Sequence, residues 1–334
     1  SDTSALHQAI VQSFDGQNAW PVIAGQTLSG SGRVIAVVDT GVDGSHPALG
    51  TTKVLQGACF STASNGGIGF CPNGASSDTS SANAGRSCVN AMNSRSAALS
   101  AGCGHGTGMA AVAAMDYSSV ATDRGGVAKS AAILPVQVFS ASARGAISAS
   151  SGDLLAAIEW ITEQARLRRE RGEAPIAAVN MSLGGGAYAG VCDSDYVGGL
   201  FRTAFSRLRA QGVIPVIAAG NGGNNGDGAS SRSISFPACV TGALPVAAAK
   251  LDYAELASYS NFSDLVRIVA IGGDSDGAYR IPTPCASTTV FDCWSTAMGT
   301  SPATALVSGA VAALHALQTS ADPAALEAAL TAAA

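Results

Sequence analysis

The sequence predicts an α/β protein: a mostly parallel β-sheet flanked by helices on both faces. Three observations carry that prediction. Several short runs, of which 33–39 is the clearest, are continuously aliphatic or β-branched with no polar alternation, as strands covered on both faces require. Segments of helical pattern separate these runs, and such alternation implies right-handed crossovers within one sheet. Finally, residues 302 to 317 are small or aliphatic at almost every position, which is how a helix buried on all sides reads.

A chain of 334 residues can bury a large core, and no linker or internal repeat divides it, so residues 1–334 read as a single domain. Charged residues make up 12%, about half the usual share, and Gly, Ser and Ala take their place, which points to a compact, loop-rich globule. The net charge of −5 is mild and no basic patch suggests nucleic acid; the one cluster, Arg166 to Arg171, reads as the solvated end of a helix. No uninterrupted apolar run reaches the ~18 residues of a membrane span. The chain opens at Ser1 without a signal segment and is expected to be a processed or trimmed form.

Residues 1–32, polar and glycine-rich with a short helical pattern at 5–12, read as an N-terminal arm lying over the body. The strand at 33–39 ends in Asp39-Thr40-Gly41, placing a carboxylate at the C-terminal edge of the sheet, where α/β proteins form their ligand sites. Taken alone, Asp39 reads better as a turn or capping residue than as a functional one. Residues 50–102 are rich in Ser, Asn, Gly and Cys and form a long surface excursion, too long for an ordinary connection in a compact domain. Gly104-His105-Gly106-Thr107 then opens a helix of small residues, with glycines that let another segment approach the imidazole. Of the other histidines, only His46, in a turn before Pro47, rivals it as a base.

Strands follow at 131–139, 176–181, 213–219, 244–249 and 266–271, and helices at 153–169 and 196–211, with a short terminal helix from Pro323. The strand at 176–181 leads into Ser182-Leu183-Gly184, and the strand at 213–219 ends in Ala219-Gly220-Asn221-Gly222. In the last buried helix Pro302 stands where its missing N–H costs nothing, so Ser301 lies at the positive end of the helix with its own N–H unpaired. A serine there is either a simple N-cap or a nucleophile.

Asp-Thr-Gly closing the first strand, His-Gly-Thr opening a helix and Gly-Thr-Ser opening the buried helix occur in the order Asp, His, Ser. With these motifs, and Ala-Gly-Asn between the second and third, the sequence resembles the subtilisin-like serine peptidases from about Gly32 to Gln318. The resemblance implies a three-layer architecture and an endopeptidase. It makes Ser301 the nucleophile, His105 the general base, Asp39 the carboxylate that orients the imidazole, and Asn221 the side-chain donor of the oxyanion hole. It also implies that Ser182, Leu183 and Gly184 pair with an extended protein or peptide substrate, and that Ala219 and Gly220 form the opposite wall of the main specificity pocket. A propeptide or protein inhibitor is a candidate partner besides the substrate, and the enzyme is expected to be a monomer. Ala111, Pro302 and Ala305 depart from the residues usual in the family, none at a reacting group.

Eight cysteines, at 59, 71, 88, 103, 192, 239, 285 and 293, fit no zinc spacing. Their even number favours disulfides and hence a secreted or periplasmic protein; eight cysteines allow about 105 connectivities, of which pairing of sequence neighbours is the simplest. No cofactor is required by the chemistry. Calcium is frequent in the family as a structural ion, and the oxygen-rich turns at 224–227 and 274–277 are its candidate loops, although turn chemistry explains both. Three alternatives compete with the peptidase reading. A non-catalytic binding protein on the same fold has no support while all three reacting positions are filled. A nucleotide-binding protein would need G-x-G-x-x-G, which Gly220-Asn221-Gly222-Gly223 does not supply, and an α/β-hydrolase would need G-x-S-x-G.

Overall fold

The computed structural model describes residues 22–23, 26–46, 49, 53–63, 66–88, 102–116, 126–223, 232–250, 255–273, 281–284, 294–317 and 322–331. Its centre is an eight-stranded sheet. In chain order the strands are β1 (Val34–Asp39), β2 (Ala58–Phe60), β3 (Ser77–Asp78), β4 (Ala132–Gln137), β5 (Ile176–Met181), β6 (Ile214–Ala218), β7 (Leu244–Ala249) and β8 (Ile268–Ile271). They lie side by side as β8-β7-β6-β5-β1-β4-β2-β3. All neighbouring pairs are parallel except the edge pair of β2 and β3.

Both faces are covered, for the reason the unalternating strands suggest. Along β1, Ile35 and Val37 pack on one side, among residues of α1 (His105–Ala114) and α4 (Thr300–Leu317). Val34, Ala36 and Val38 pack on the other, with α2 (Ser151–Glu170) and α3 (Tyr196–Ala210). Alternate side chains of one strand therefore feed two separate cores, which gives three layers. The terminal helix α5 (Pro323–Thr331) joins the α1–α4 side through Leu326 and Leu330. Helix α4 is apolar and long enough to suit a membrane, but its apolar surface is spent on the sheet, where residues 302–315 are all buried.

One predicted strand is divided. Residues 131–139 form β4 and then, after Val138, the short strand Phe139–Ala141, which belongs to a separate three-stranded sheet with Ile68–Gly69 and Ile147–Ala149. Hydrophobicity continues across the break. The buried Gln137 marks it, its side-chain amide donating to the Phe139 carbonyl at 2.8 Å. The described parts of the long excursion, 53–63 and 66–88, extend the sheet through β2 and β3 and are stapled by Cys59–Cys71 and Cys88–Cys103. A third disulfide joins Cys192 to Cys239. Three of the four expected pairings are thus present; Cys285 and Cys293 lie outside the described residues, as do the helical pattern at 5–12 and both candidate calcium loops. Among the described residues no three His, Cys, Asp or Glu side chains gather as a metal site would require.

Candidate active site

Strands β1, β5 and β6 are consecutive neighbours in the sheet, and their C-terminal ends lie only about 4.8 Å apart from one to the next. Asp39 ends β1, Ser182 follows β5 and Asn221 follows β6. The N-termini of α1 and α4 meet that same edge, so residues far apart in sequence are delivered to one place by topology.

The carboxylate of Asp39 is fully buried, and both of its oxygens lie 2.9 Å from Nδ1 of His105, whose side chain is 37% exposed. Since a carboxylate only accepts, Nδ1 carries the proton and Nε2 keeps a free lone pair. Burial pushes the His105 pKa down, but the charge and hydrogen bond of Asp39 outweigh it and leave the pKa above the ordinary value. Close approach of the two elements depends on Gly106: a Cβ there would stand 2.3 Å from the Gly41 carbonyl oxygen and 3.0 Å from the Asp39 Cβ. His46, the rival base, is buried, and burial lowers its pKa despite the nearby charge of Asp43.

Ser301 stands in the first turn of α4, held from below by Ser182, whose hydroxyl donates to the Ser301 carbonyl at 2.8 Å. The Ser301 hydroxyl in turn donates to the Ser182 carbonyl at 3.0 Å. No hydrogen bond joins it to His105 among the described residues, so the structure brings Asp39 and His105 together and leaves Ser301 turned toward β5. Deeper in the helix, Ser308 donates to Oδ1 of Asn180, a fully buried strand residue whose amide donates to the Ser182 hydroxyl at 3.0 Å. This polar seam fixes α4 along β5.

Asn221 is oriented by its neighbour across the edge. Its Oδ1 accepts from the Thr300 backbone N–H at 2.8 Å and from the Thr300 hydroxyl at 2.9 Å. Because both partners donate, the oxygen must take that side, and Nδ2 faces the other way as a donor. Gly299, at φ 144°, passes close beside it, and a Cβ there would come within 3.1 Å of Nδ2. The Gly299 N–H donates to the Tyr259 hydroxyl at 3.1 Å. Sequence reasoning does not single out Thr300 or Tyr259; only the packing of segments distant in the chain reveals them.

A cavity of about 750 Å³ opens beside His105 and continues over Ser182, Leu183 and Gly184 toward Phe139, Ile147 and Tyr188. Ser182 is buried, Leu183 is half-buried and Gly184 is exposed, while the residues just beyond, Gly185–Tyr188, pair with Ile234–Phe236. Ala219 and Gly220 do not line this cavity. Ala219 is fully buried, and its carbonyl accepts from Ser235 N–H at 2.8 Å and from Asn261 Nδ2 at 3.1 Å.

A sequence profile of the subtilase family matches residues 30–334. An extracellular protease of Xanthomonas campestris pv. campestris is 30% identical over 303 residues, 90% of this chain and 47% of that protein. Alkaline protease 1 of Aspergillus clavatus is 33% identical over 224 residues, 67% of this chain and 45% of that protein. The chain thus spans about half the length of these curated relatives. The solved structure of sphericase has a TM-score of 0.66 at 25% identity, over 97% of this chain and 88% of its own. With the profile covering nearly the whole chain and the parallel sheet carrying it, the protein belongs to the subtilase family.

Proposed function

We propose that the protein is a secreted serine endopeptidase that cleaves peptide bonds through an acyl-enzyme. The observation that carries the reading is the Asp39–His105 contact at the sheet edge that also receives the N-terminus of the Ser301 helix. His105 Nε2 takes the Ser301 proton as the hydroxyl attacks the scissile carbonyl, and later returns it to the leaving amine. Asp39 holds the tautomer and stabilises the imidazolium that forms. Asn221 Nδ2 and the Ser301 N–H receive the oxyanion. For the first step the Ser301 hydroxyl leaves the Ser182 carbonyl and turns about χ1 toward His105; catalytic hydrogen bonds commonly tighten only once substrate is bound.

An extended polypeptide lies along Ser182, Leu183 and Gly184, with its side chains entering the cavity beside His105; Ala219 and Gly220 stand outside that cavity and would bound the residue next to the cleaved bond only through their backbone. A propeptide or protein inhibitor would occupy the same cleft. Three disulfides and a relative named as an extracellular protease support secretion. The reaction uses no cofactor, and calcium is proposed only as a structural ion. Hydrolysis of a denatured protein by the wild type, lost in Ser301→Ala, is the expected result. Equal hydrolysis by both, or none by either with peptide binding retained, would favour another nucleophile or the non-catalytic binding protein.

A further inference from the structure

We propose that Thr40 is a positioning residue for the Asp39–His105 pair, locked in place by the Cys88–Cys103 disulfide. The inference rests on the peptidase reading and says how that site is kept aligned. Helix α1 begins without a side-chain cap, because its N-cap residue is Gly104. The N–H groups of a first helical turn have no partner within the helix, and a capping side chain normally serves the second or third of them. Here the Gly106 N–H, immediately after His105, donates instead to the hydroxyl oxygen of Thr40 at 3.0 Å. The same hydroxyl donates to the carbonyl of Cys103, two residues before His105, at 3.2 Å. One oxygen from the end of β1 therefore grips the helix start on both sides of the imidazole.

Thr40 is itself fixed. Its N–H donates to Asp39 Oδ1 at 2.7 Å, and its carbonyl accepts from the Cys88 N–H at 3.0 Å. Cys88 is bonded through sulfur to Cys103, closing a ring that runs from Thr40 to Cys103, across the disulfide to Cys88 and back to Thr40. Ser87 closes the ring more tightly by donating to the Cys103 carbonyl at 2.7 Å. All four residues are buried, with Thr40 and Cys88 each 1% exposed and Cys103 0%. In that setting the ring sets the rotation of the first turn of α1 against the end of β1, and with it the angle at which Nδ1 meets the carboxylate. Cys59–Cys71, in the same excursion, makes no hydrogen bond to Asp39, Thr40 or His105 and serves as the matched control.

The test compares Thr40→Val, Thr40→Ser, Cys88→Ala/Cys103→Ala and the control Cys59→Ala/Cys71→Ala, each checked for folding by circular dichroism. With a short peptide substrate, Thr40→Val and the Cys88/Cys103 variant should lose about tenfold or more in kcat with KM nearly unchanged, the pattern of a misplaced base. Thr40→Ser and the control should stay close to wild type. In a Ser301→Ala background, NMR titration should show the His105 pKa falling toward the ordinary 6.5 in Thr40→Val and in the Cys88/Cys103 variant. If Thr40→Val does not fold, the Cys88/Cys103 variant carries the test. A Thr40→Val protein with unchanged kcat and unchanged His105 titration would overturn the proposal. So would a control that loses as much kcat as the Cys88/Cys103 variant. The titration needs no turnover, so an inactive wild type would overturn the peptidase reading and leave the alignment result readable.

Discussion

Asn221 and Ser301 differ in how nearly their side chains are set for the proposed reaction. Asn221 is committed: two donors from Thr300 hold its oxygen and leave its amide facing outward. Ser301 has one bond to break before it can reach His105. Replacing Asn221 by Leu, which keeps the volume and removes the donor, should cut kcat by about 100- to 1000-fold with little change in KM, the loss measured when a subtilisin is deprived of its oxyanion-hole asparagine. Stopped assays of kcat that show no loss would remove Asn221 from the oxyanion hole. The pH profile follows from His105, which acts as a base only when neutral. Its pKa lies above the ordinary 6.5, so activity should be low at and below that value and rise as pH climbs through the shifted one. A kcat/KM profile flat from about pH 5 to 8 would contradict the role. At this scale the four proposed reacting residues are legible in the sequence, because each ends a strand or opens a helix in a recognisable triplet. Thr40 and Thr300 stand in the same triplets, but nothing in the pattern marks the partners their hydroxyls reach 66 and 80 positions away, and Tyr259 stands in no motif, 40 positions from the Gly299 N–H it accepts.

Helices α1 and α4 each carry a proposed reacting residue at the N-terminus, and the contact between them is tight at Gly309. A Cβ at that position would stand 2.6 Å from the Ala113 carbonyl oxygen and 2.8 Å from the Val127 Cβ. Gly309→Ala must therefore push the two helices apart, and overpacking of this kind costs about 1–3 kcal/mol. The denaturant midpoint should fall accordingly, and kcat should fall with it because the helix start carrying Ser301 shifts. An unchanged midpoint would show that the contact has slack. The all-round burial of α4 can be read from its small and aliphatic residues alone. The polar seam under it cannot: Thr304 donates to the carbonyl four residues back whereas Ser308 gives its proton to Asn180 on β5, a choice open to any helical serine or threonine until its surroundings are known. The break after β4 is hidden for a related reason. Its apolar residues continue from one sheet into another, and hydrophobicity does not record which neighbour a strand pairs with.

Across the whole molecule, strand order does what no single motif can. Placing β1, β5 and β6 side by side brings residues 39, 182 and 221 to one edge, and the two helix N-termini complete the group. The alternation of strands and helices makes a parallel sheet legible, but the order of its strands depends on long-range packing that the sequence pattern does not encode. The disulfides secure this shape unequally. On a chain-entropy basis Cys192–Cys239, with a separation of 47, should stabilise by about 4 kcal/mol, against about 3 kcal/mol for Cys59–Cys71, with a separation of 12. Removing the first pair should lower the thermal midpoint more than removing the second; the reverse order would place their effect in native contacts. Peptide-bond cleavage at this site requires that Ser301 be activated by His105. Treatment with a phenylmethylsulfonyl-type serine reagent, followed by peptide mass spectrometry, reads this directly. A single adduct on Ser301 that disappears in His105→Ala is the predicted result, and an adduct on another serine, or one that forms equally well without the imidazole, would contradict it.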